Sequence, residues 1–285
     1  MNFSLAQTLP NHDNIRILIL SDEVNPHNLS DTDLMQPGDL STALTSTTAL
    51  NSTILEIPTN SIEQASVELL RNETDPLFYD ILIYFAHRIP NNGNSAQQRQ
   101  DDFVDAVESF LINGGSVISF HHGLYRTNGK QAMQNLLGAQ STGAVPWDTV
   151  NGQNIIYVGG EHFIGTHEIN YNITIPYENI AHSIPANNYP AFNNTPDERY
   201  PFTDFNSGNT GCEIQTLFES DYVNNGQTHL LSYIKQCSGW QSQLFVYQPG
   251  EYQPNATTGN NFQILLNAIY FLSENRWDII FTNSF

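Results

Sequence analysis

Basic residues are scarce in this chain of 285 residues, and their scarcity narrows the set of partners. Nine Lys and Arg residues stand against 29 Asp and Glu residues, which gives a formal net charge of −20. Nucleic acids and anionic lipid surfaces are bound through basic patches that neutralise phosphates. The composition therefore argues against nucleic-acid and membrane partners. The acidic excess is typical of a solubility adaptation, for example to salt or cold water.

Long apolar runs and cysteine clusters are also missing. No stretch approaches the roughly 18 consecutive apolar residues of a membrane-spanning helix. The two cysteines, Cys212 and Cys237, have no CxxC spacing, which excludes a thiolate metal cluster and permits at most one disulfide. Because the first residues lack a basic segment followed by a long apolar one, we expect no complete signal peptide. The compartment stays open between the cytoplasm and an exported location.

Nucleotide-binding signatures are absent as well. Neither a P-loop nor a GxGxxG run occurs, so the sequence predicts no nucleotide cofactor.

The first half of the chain alternates apolar strand-like runs with amphipathic segments. Strands are predicted over residues 14–21, 52–57, 79–85 and 117–120, and helices over residues 39–50, 61–70, 97–112 and 129–137. A capping box, Ser61 with Gln64, marks the start of the second helix. This alternation predicts an α/β fold with a doubly wound, mostly parallel sheet and helices on both faces.

The second half has a different pattern. Half-exposed strands are predicted over residues 155–158 and 168–175, loops over 176–209, three further strands over 213–218, 228–234 and 243–247, and a helix over 261–275. These strands predict an antiparallel extension of the sheet. The apolar tail, residues 278–285, is interpreted as an extra strand or an interface segment. Since no linker divides the chain, residues 1–285 are expected to form one domain.

Histidines follow three of the four early strands. They are His27 after the first, His87 after the third, and His121 with His122 after the fourth. The carboxyl ends of parallel strands lie at one edge of a sheet, where α/β proteins bind their ligands. The topology therefore predicts that these histidines converge.

Two more polar groups join this set in sequence order. His182 lies in a loop, and Glu251 follows the last predicted strand. Imidazoles with carboxylates can perform acid/base chemistry near neutral pH, or they can bind a divalent metal such as zinc. No HExxH or HxH spacing is present, so acid/base chemistry is the first interpretation and zinc the alternative. For His12, His162 and His229 a structural role is expected.

The sharp turn after the fourth strand is where hydrolases place a nucleophilic Ser and amidotransferases a Cys. Here His121 occupies that position, and Ser119, before the turn, is expected to point elsewhere. A Ser or Cys nucleophile is therefore disfavoured.

Five short runs carry a resemblance to a known family. They are YDILIYFAHR at 79–88, GGSVISFH at 114–121, AHSI at 181–184, DERY at 197–200 and LFVYQPGE at 244–251. In this order they resemble the motifs of the ThuA-like (trehalose utilisation) family, within the class I glutamine amidotransferase-like superfamily, over residues 15–272. The chain departs from the family pattern at Ser183, where Pro is usual, at Glu251, where His is usual, and in Asn-rich insertions around 187–210.

The resemblance implies a flavodoxin-like sheet, a turn that has lost the amidotransferase cysteine, and a link to carbohydrate use. It leads to a hypothetical site with two sets of residues. Acid/base or catalytic roles are assigned to His87, His121, His182, Glu198 and Glu251. Substrate-binding roles are assigned to His27, His122, Tyr125 and Tyr200.

Three functions remain open at this point. The first is an enzyme acting on a sugar or glycoside, by hydrolysis, isomerisation or elimination. The second is a sugar-binding or assembly module without catalysis. The third is a metal-dependent hydrolase that uses the same histidines. A small carbohydrate is the expected ligand in the first two, and self-association stays open.

Overall fold

The structure is a computed structural model, and it describes most of the chain. The described residues are 14–24, 34–125, 127, 129–141, 145–148, 153–200, 204–224 and 227–282. His12 and His27 lie outside these ranges, so the predictions made for them concern residues that are not described.

Within these ranges the chain forms 14 strands and seven α-helices. The strands are β1 (Ile15–Ser21), β2 (Ser52–Pro58), β3 (Ile81–Tyr84), β4 (Ser116–Phe120), β5 (Ala139–Gln140), β6 (Val145–Asp148), β7 (Gln153–Tyr157), β8 (Ile173–Asn179), β9 (Ile184–Asn194), β10 (Asp197–Arg199), β11 (Asp204–Phe205), β12 (Cys212–Asn224), β13 (Gln227–Cys237) and β14 (Leu244–Tyr247). The helices are α1 (Asp39–Ser46), α2 (Ile62–Leu69), α3 (Ala96–Ile112), α4 (Gln131–Leu137), α5 (Phe163–Thr166), α6 (Gln253–Thr258) and α7 (Asn260–Thr282).

Ten of the strands form one mixed sheet in the order β2-β1-β3-β4-β14-β13-β12-β7-β9-β8. The first five are parallel, and their order is the 2-1-3-4-5 order of flavodoxin-like folds. From β14 onward every neighbouring pair is antiparallel. The predicted flavodoxin-like α/β fold with an antiparallel extension is therefore confirmed. Two small two-stranded sheets, β10-β6 and β11-β5, lie outside it.

The parallel strands are buried on both faces, which explains their continuous apolar sequences. In β1, Ile17 and Ile19 pack into one core with residues of α1 and α7. Leu18 and Leu20 pack into the other core with residues of α2, α3 and α4. Helices thus cover both faces, and the ends of the central strands are the part of the sheet left for a site.

The Asn- and Pro-rich segment differs from the prediction. Residues 176–209 were expected to be loops, but they contain the end of β8, the 11-residue strand β9, and β10. β9 pairs with β8 along one side and with β7 along the other. The loop prediction is wrong because ladder pairing on both sides outweighs the low strand propensity of Asn and Pro.

Two smaller predictions are also wrong. The tail was expected to be a strand or an interface segment; the strand is wrong because α7 continues to Thr282, and the interface role stays a prediction. Ser61 precedes α2, yet its side chain makes no capping hydrogen bond to the helix and donates to Asn60 Oδ1 instead. The capping box with Gln64 is therefore not formed.

The two cysteines lie opposite each other in the β12–β13 pair and form a disulfide. None of the helices in the described ranges has both the length and the hydropathy required to cross a membrane.

Candidate active site

Four parallel strands bring polar residues together at one edge of the sheet. Asp22 follows β1, His87 follows β3 after two residues, and His121 follows β4 directly. Glu251 lies four residues beyond β14. Because these strands run in the same direction, their carboxyl ends meet. The predicted convergence of the strand-end histidines is found for His87, His121 and His122, the ones that the structure describes.

His121 occupies a left-handed backbone conformation, with φ 40°, at the turn between β4 and the short 3-10 segment that follows it. Its Nδ1 lies 2.8 Å from the carbonyl oxygen of Gln248. Since a carbonyl oxygen only accepts hydrogen bonds, Nδ1 carries the proton. Nε2 therefore faces the carboxylates, 2.9 Å from Glu251 Oε2 and 3.4 Å from Glu198 Oε2.

His122 approaches the same carboxylate oxygen from the neighbouring position. Its Nε2 lies 2.9 Å from Glu251 Oε2, and its Nδ1 lies 3.7 Å from Asp22 Oδ2. The backbone carbonyl of His122 accepts a hydrogen bond from Lys130 Nζ, which also donates to the carbonyl of Ala86. Lys130 thus ties together the segments that follow β3 and β4, and its pKa is lowered to about 7 by burial.

Glu198 enters the cluster from β10. The hydroxyl of Tyr200 donates to Glu198 Oε2 at 2.9 Å and lies 3.3 Å from His121 Nε2. Just before it, Asp197 accepts hydrogen bonds from the backbone N–H groups of Glu198, Gly250 and Glu251. A single buried carboxylate therefore fixes the two segments that carry Glu198 and Glu251.

Burial and neighbouring charges shift the protonation of these groups. Burial works against a charged His121, but hydrogen bonds to Glu198 and Glu251 raise its pKa to about 10. Burial alone would raise the pKa of Glu251, yet the charge of His122 and hydrogen bonds from both histidines hold it well below its usual range. For Asp197 burial prevails, so its pKa is raised despite His121 and its hydrogen bonds. His121 and Glu251 thus each favour the charged form of the other inside the protein.

The donor set also fits a metal ion. One ligand atom from each of His121, His122, Glu198 and Glu251 lies within 4.8 Å of the others, and all four residues are buried. Tetrahedral ligands at the usual Zn–N and Zn–O distances lie about 3.4 Å apart, and the nitrogen–oxygen distances here are 2.9–3.4 Å. The Nδ1–H of His121 donates to a backbone carbonyl, which is the usual second contact of a metal-binding histidine.

His87 and Tyr125 lie beside the cluster. The ring of His87 contacts that of His122 edge-on, with centroids 5.0 Å apart, and stacks on Tyr125 at 4.1 Å. Tyr125 in turn contacts Tyr200, whose ring lies against His121. These ring contacts join His87, Tyr125 and Tyr200 to the cluster, so all of the described residues with predicted roles except His182 belong to one connected group.

His182 has a different set of contacts. Its Nδ1 lies 2.6 Å from Glu219 Oε1 and 2.9 Å from Asn179 Nδ2, and its ring meets Phe205 edge-on. None of these partners belongs to the cluster around His121. Its predicted catalytic role has no support from these contacts and stays a prediction.

Sequence reasoning did not select Asp22 and Asp197 as site residues. Asp22 accepts hydrogen bonds from the backbone N–H groups of His87 and Arg88, so it positions the segment after β3. Its place directly after β1 is the signal that could have identified it, by the same strand-end rule that selected the histidines. Asp197 begins the DERY run that resembles a family motif, but only Glu198 and Tyr200 of that run were assigned roles. Nothing local in the sequence indicates the contacts of Asp197 with residues 250–252.

Fold and site together define an α/β protein of flavodoxin-like topology with a buried cluster of two histidines and two glutamates at its strand ends. Solved structures with this fold include a ThuA-like protein from Bacteroides uniformis ATCC 8492, which is 14% identical with a TM-score of 0.52 and 89% of each chain covered. Another is a ThuA-like protein from Parabacteroides merdae ATCC 43184, which is 12% identical with a TM-score of 0.52 and coverage of 91% of this chain and 90% of that one. The resemblance predicted from the sequence is confirmed at the level of the fold. No family model and no curated protein matches the chain.

Proposed function

We propose that this protein is a metal-dependent hydrolase that acts on a carbohydrate or carbohydrate derivative. The observation that carries the proposal is the buried group of two imidazoles and two carboxylates whose donor atoms lie within 4.8 Å of one another. Two nitrogen and two oxygen donors suit zinc or manganese.

The charge balance of the site supports a bound cation. Four carboxylates are buried there, those of Asp22, Asp197, Glu198 and Glu251, and the largest exposure among them is 6%. Against them stand two imidazoles and the ammonium group of Lys130, whose pKa is lowered to about 7. Buried carboxylates require compensating charge, because their transfer out of water is costly. A divalent ion would supply the charge that the side chains do not.

The protein's own groups have separate tasks in this proposal. His121 and His122 would hold the ion through Nε2, with Glu251 and Glu198 as oxygen ligands. An ion held in this way would need a further coordination position beyond its four protein ligands, and there it would polarise a substrate oxygen or lower the pKa of a water. Tyr200, whose hydroxyl donates to Glu198 Oε2, orients that carboxylate. His87 and Tyr125 contribute ring faces beside the cluster for a substrate to contact.

The spacing of the glutamates argues against ordinary glycoside hydrolysis. Two-carboxylate glycosidases hold their carboxyl groups about 5–5.5 Å or about 6.5–9.5 Å apart, on either side of the bond that breaks. Here oxygen atoms of Glu198 and Glu251 both approach one nitrogen, His121 Nε2, at 3.4 and 2.9 Å. Both oxygens thus contact the same imidazole nitrogen, whereas the carboxyl groups of such glycosidases lie on opposite sides of the bond that breaks.

Two observations favour an enzyme over a binding module. A histidine with a pKa raised to about 10 and a buried glutamate with a lowered pKa occupy the ligand-binding edge of the sheet. Strongly perturbed groups cluster at catalytic sites more than at simple binding surfaces. The carbohydrate part of the proposal is supported by the ThuA-like names of the two structural neighbours and by the family motifs in the sequence.

The test is metal analysis of the purified protein with a matched pair of variants. Glu251→Gln removes one charged ligand at constant size, and we expect it to lose the near-stoichiometric zinc or manganese of the wild type. Glu219→Gln is the matched control, because Glu219 is also a buried glutamate bound to a histidine but lies outside the cluster. It should retain the metal. Hydrolysis of sugar esters, lactones and glycosides is then screened with and without added metal.

A protein that remains metal-free after incubation with zinc and manganese would contradict the proposal. A second candidate would then take its place, an acid/base enzyme without metal. The observation that favours it is the contact of Glu251 Oε2 with Nε2 of both His121 and His122, at 2.9 Å each. In that case the Nε2 proton of His121 is the one available for transfer.

A further inference from the structure

We propose that the open cleft beside His87 binds an anionic group of the substrate through Arg88. The inference deepens the proposed function, on which it rests, by naming the substrate class as an acidic carbohydrate that bears a carboxylate or phosphate. It is carried by a cavity, by an exposed guanidinium group and by the start of a long helix, all of which meet at one place.

The cleft has a volume of about 730 Å³, which is large enough for a sugar ring with a charged substituent. Its described lining includes Arg88, Asn91, Ser95, Gln97 and Thr127. Asn91 Oδ1 and Ser95 Oγ already accept hydrogen bonds from the first residues of α3, and Gln97 Nε2 donates to Asp101 Oδ1. The groups they offer a sugar hydroxyl are therefore the amide N–H₂ of Asn91, the hydroxyl proton of Ser95 and the carbonyl oxygen of Gln97. None of the described lining residues is acidic.

Backbone contacts connect the cleft to the cluster. Arg88 follows His87 in sequence, and its backbone N–H donates to Asp22 at 3.0 Å. Thr127 donates from its hydroxyl to the carbonyl oxygen of His87 at 3.2 Å. The ring of His87 contacts His122, a member of the cluster. The cleft is therefore linked to the cluster through His87, which precedes Arg88 in sequence and is hydrogen-bonded to Thr127.

Arg88 differs from the other arginines whose side chains are described. Arg71 is paired with Glu68 and Asp75, and Arg99 is paired with Glu63. Arg16 lies over the ring of Tyr79, and Arg199 lies over the ring of Tyr222.

The side chain of Arg88 is exposed and forms no ion pair with any acidic residue in the described ranges. In a chain with 29 acidic and 9 basic residues, an exposed guanidinium group at a cleft that pairs with no acidic residue among those described is an unusual feature. Guanidinium groups bind carboxylates and phosphates in a bidentate manner.

The beginning of α3 adds to the positive potential. This helix has 17 residues, and its first two, Ala96 and Gln97, line the cleft. The amino end of a helix carries a partial positive charge and attracts anions. With a net charge of −20, the rest of the molecule repels an anionic substrate, so a local cationic site is what such a substrate would need.

The test is calorimetric titration of the full chain with three probes: glucose, glucuronate and glucose 6-phosphate. We expect the wild type to bind at least one of the two anions about tenfold more tightly than glucose, which corresponds to one charge-assisted contact. Preference for glucuronate alone identifies a carboxylate ligand, and preference for glucose 6-phosphate alone identifies a phosphate ligand. Arg88→Ala should abolish the preference, and Arg88→Lys should retain part of it.

Arg71→Ala is the matched control, because it changes the net charge equally at a guanidinium group that is already paired with Glu68 and Asp75. It should leave the preference unchanged. Equal binding of all three probes, binding of neither anion at millimolar concentration, or a preference that survives in Arg88→Ala would overturn the proposal.

The metal content of Arg88→Ala separates this proposal from the one on which it rests. If Arg88→Ala binds as much metal as the wild type but has lost the preference for anions, the result supports both the metal centre and the anion site. If the protein binds no metal but still prefers anions through Arg88, the anion site in the cleft is supported and the metal centre is rejected.

Discussion

At the scale of single residues, the Nε2 atom of His121 determines which chemistry the site can perform. The carbonyl of Gln248 fixes the proton on Nδ1 and turns Nε2 toward two carboxylates. Nε2 must therefore either carry a proton of its own or bind a cation. The same geometry accommodates both states, and metal binding would release the proton that the carboxylates otherwise retain there.

Asp197 leads to a prediction about how the site is held together. Its carboxylate accepts hydrogen bonds from the backbone N–H groups of Glu198, Gly250, Glu251 and Tyr252, and from the side chain of Asn194. In Asp197→Asn an amide N–H₂ would face some of these donors. Since hydrogen bonds to buried charged acceptors are the stronger ones, we expect the free energy of unfolding to fall by about 2 kcal/mol.

Urea denaturation measures this change, and metal content should fall with it because Glu198 and Glu251 lose their anchor. The control is Asp221→Asn, since Asp221 accepts from the backbone and side chain of Asn154 in the antiparallel half. That variant should retain its metal. An Asp197→Asn protein as stable and as metal-rich as the wild type would show that Asp197 does not position the ligands.

The sequence predicted the histidines of the site better than its aspartates. His87, His121 and Glu251 were found because each follows a recognisable strand, and parallel topology then places them at one edge. Asp197 could not be found in this way, because β10 lies outside the main sheet and reaches the cluster through hydrogen bonds to residues about 53 positions later. Contacts between residues so far apart in the sequence leave no pattern in the residues around Asp197.

At the scale of elements, the pattern of apolar residues in the sequence predicted the strands of the parallel half but did not predict β9. The parallel strands are apolar throughout, so their sequences indicate burial on both faces. β9 contains Pro185 and Pro190 and several asparagines, and much of it is exposed. Its strand form depends on its partners β7 and β8, which no local pattern reveals.

Lys235 on β13 leads to a prediction about pH. Its ammonium group is buried, donates to the carbonyls of Leu136 and Gly208, and lies over the ring of Trp240. Burial lowers its pKa to about 8, against a raising effect of Glu108. The unfolded chain therefore binds more protons than the folded one between pH 8 and about 10.4, the usual lysine value. Lys235 thus contributes stability above this window that is lost as the pH falls through 8.

The comparison is between wild type and Lys235→Met. The difference in free energy of unfolding, wild type minus variant, should rise from pH 8 to pH 10.4 by up to about 1.4 kcal/mol per pH unit. Other titrating groups, including Lys130, occur in both proteins and cancel. Gln236→Met, an exposed neighbour on β13, is the control and should give a difference that does not vary with pH. Parallel curves for wild type and Lys235→Met would mean that Lys235 titrates normally.

At the scale of the whole molecule, the two halves of the sheet have different roles at the site. The parallel half supplies His121, His122 and Glu251 from the ends of β4 and β14. Glu198 comes from β10, which follows the long antiparallel strand β9 and pairs with β6. The cluster is therefore complete only when the segment after the antiparallel extension folds back over the parallel strand ends. Metal binding should for this reason require that both halves of the sheet are folded.

The net charge of −20 leads to a prediction about salt. Folding brings the acidic residues closer together, so their repulsion destabilises the folded state more than the unfolded chain. Raising the salt from 0.01 to 0.15 M shortens the Debye length from about 30 to about 8 Å. We expect the free energy of unfolding in urea to increase over this range, equally in sodium chloride and choline chloride, and sucrose of equal osmolality should not reproduce the increase.

This experiment also tests how the acidic composition is interpreted. Among the described acidic side chains only Glu63, Glu68 and Asp75 pair with a described arginine, so salt has few favourable surface pairs to weaken. Screening of repulsion should therefore dominate over screening of attraction. If stability instead falls as salt rises, the acidic groups must be engaged in favourable pairs. In that case the excess charge would be a stabilising feature of the fold, and its interpretation as a solubility adaptation would be wrong.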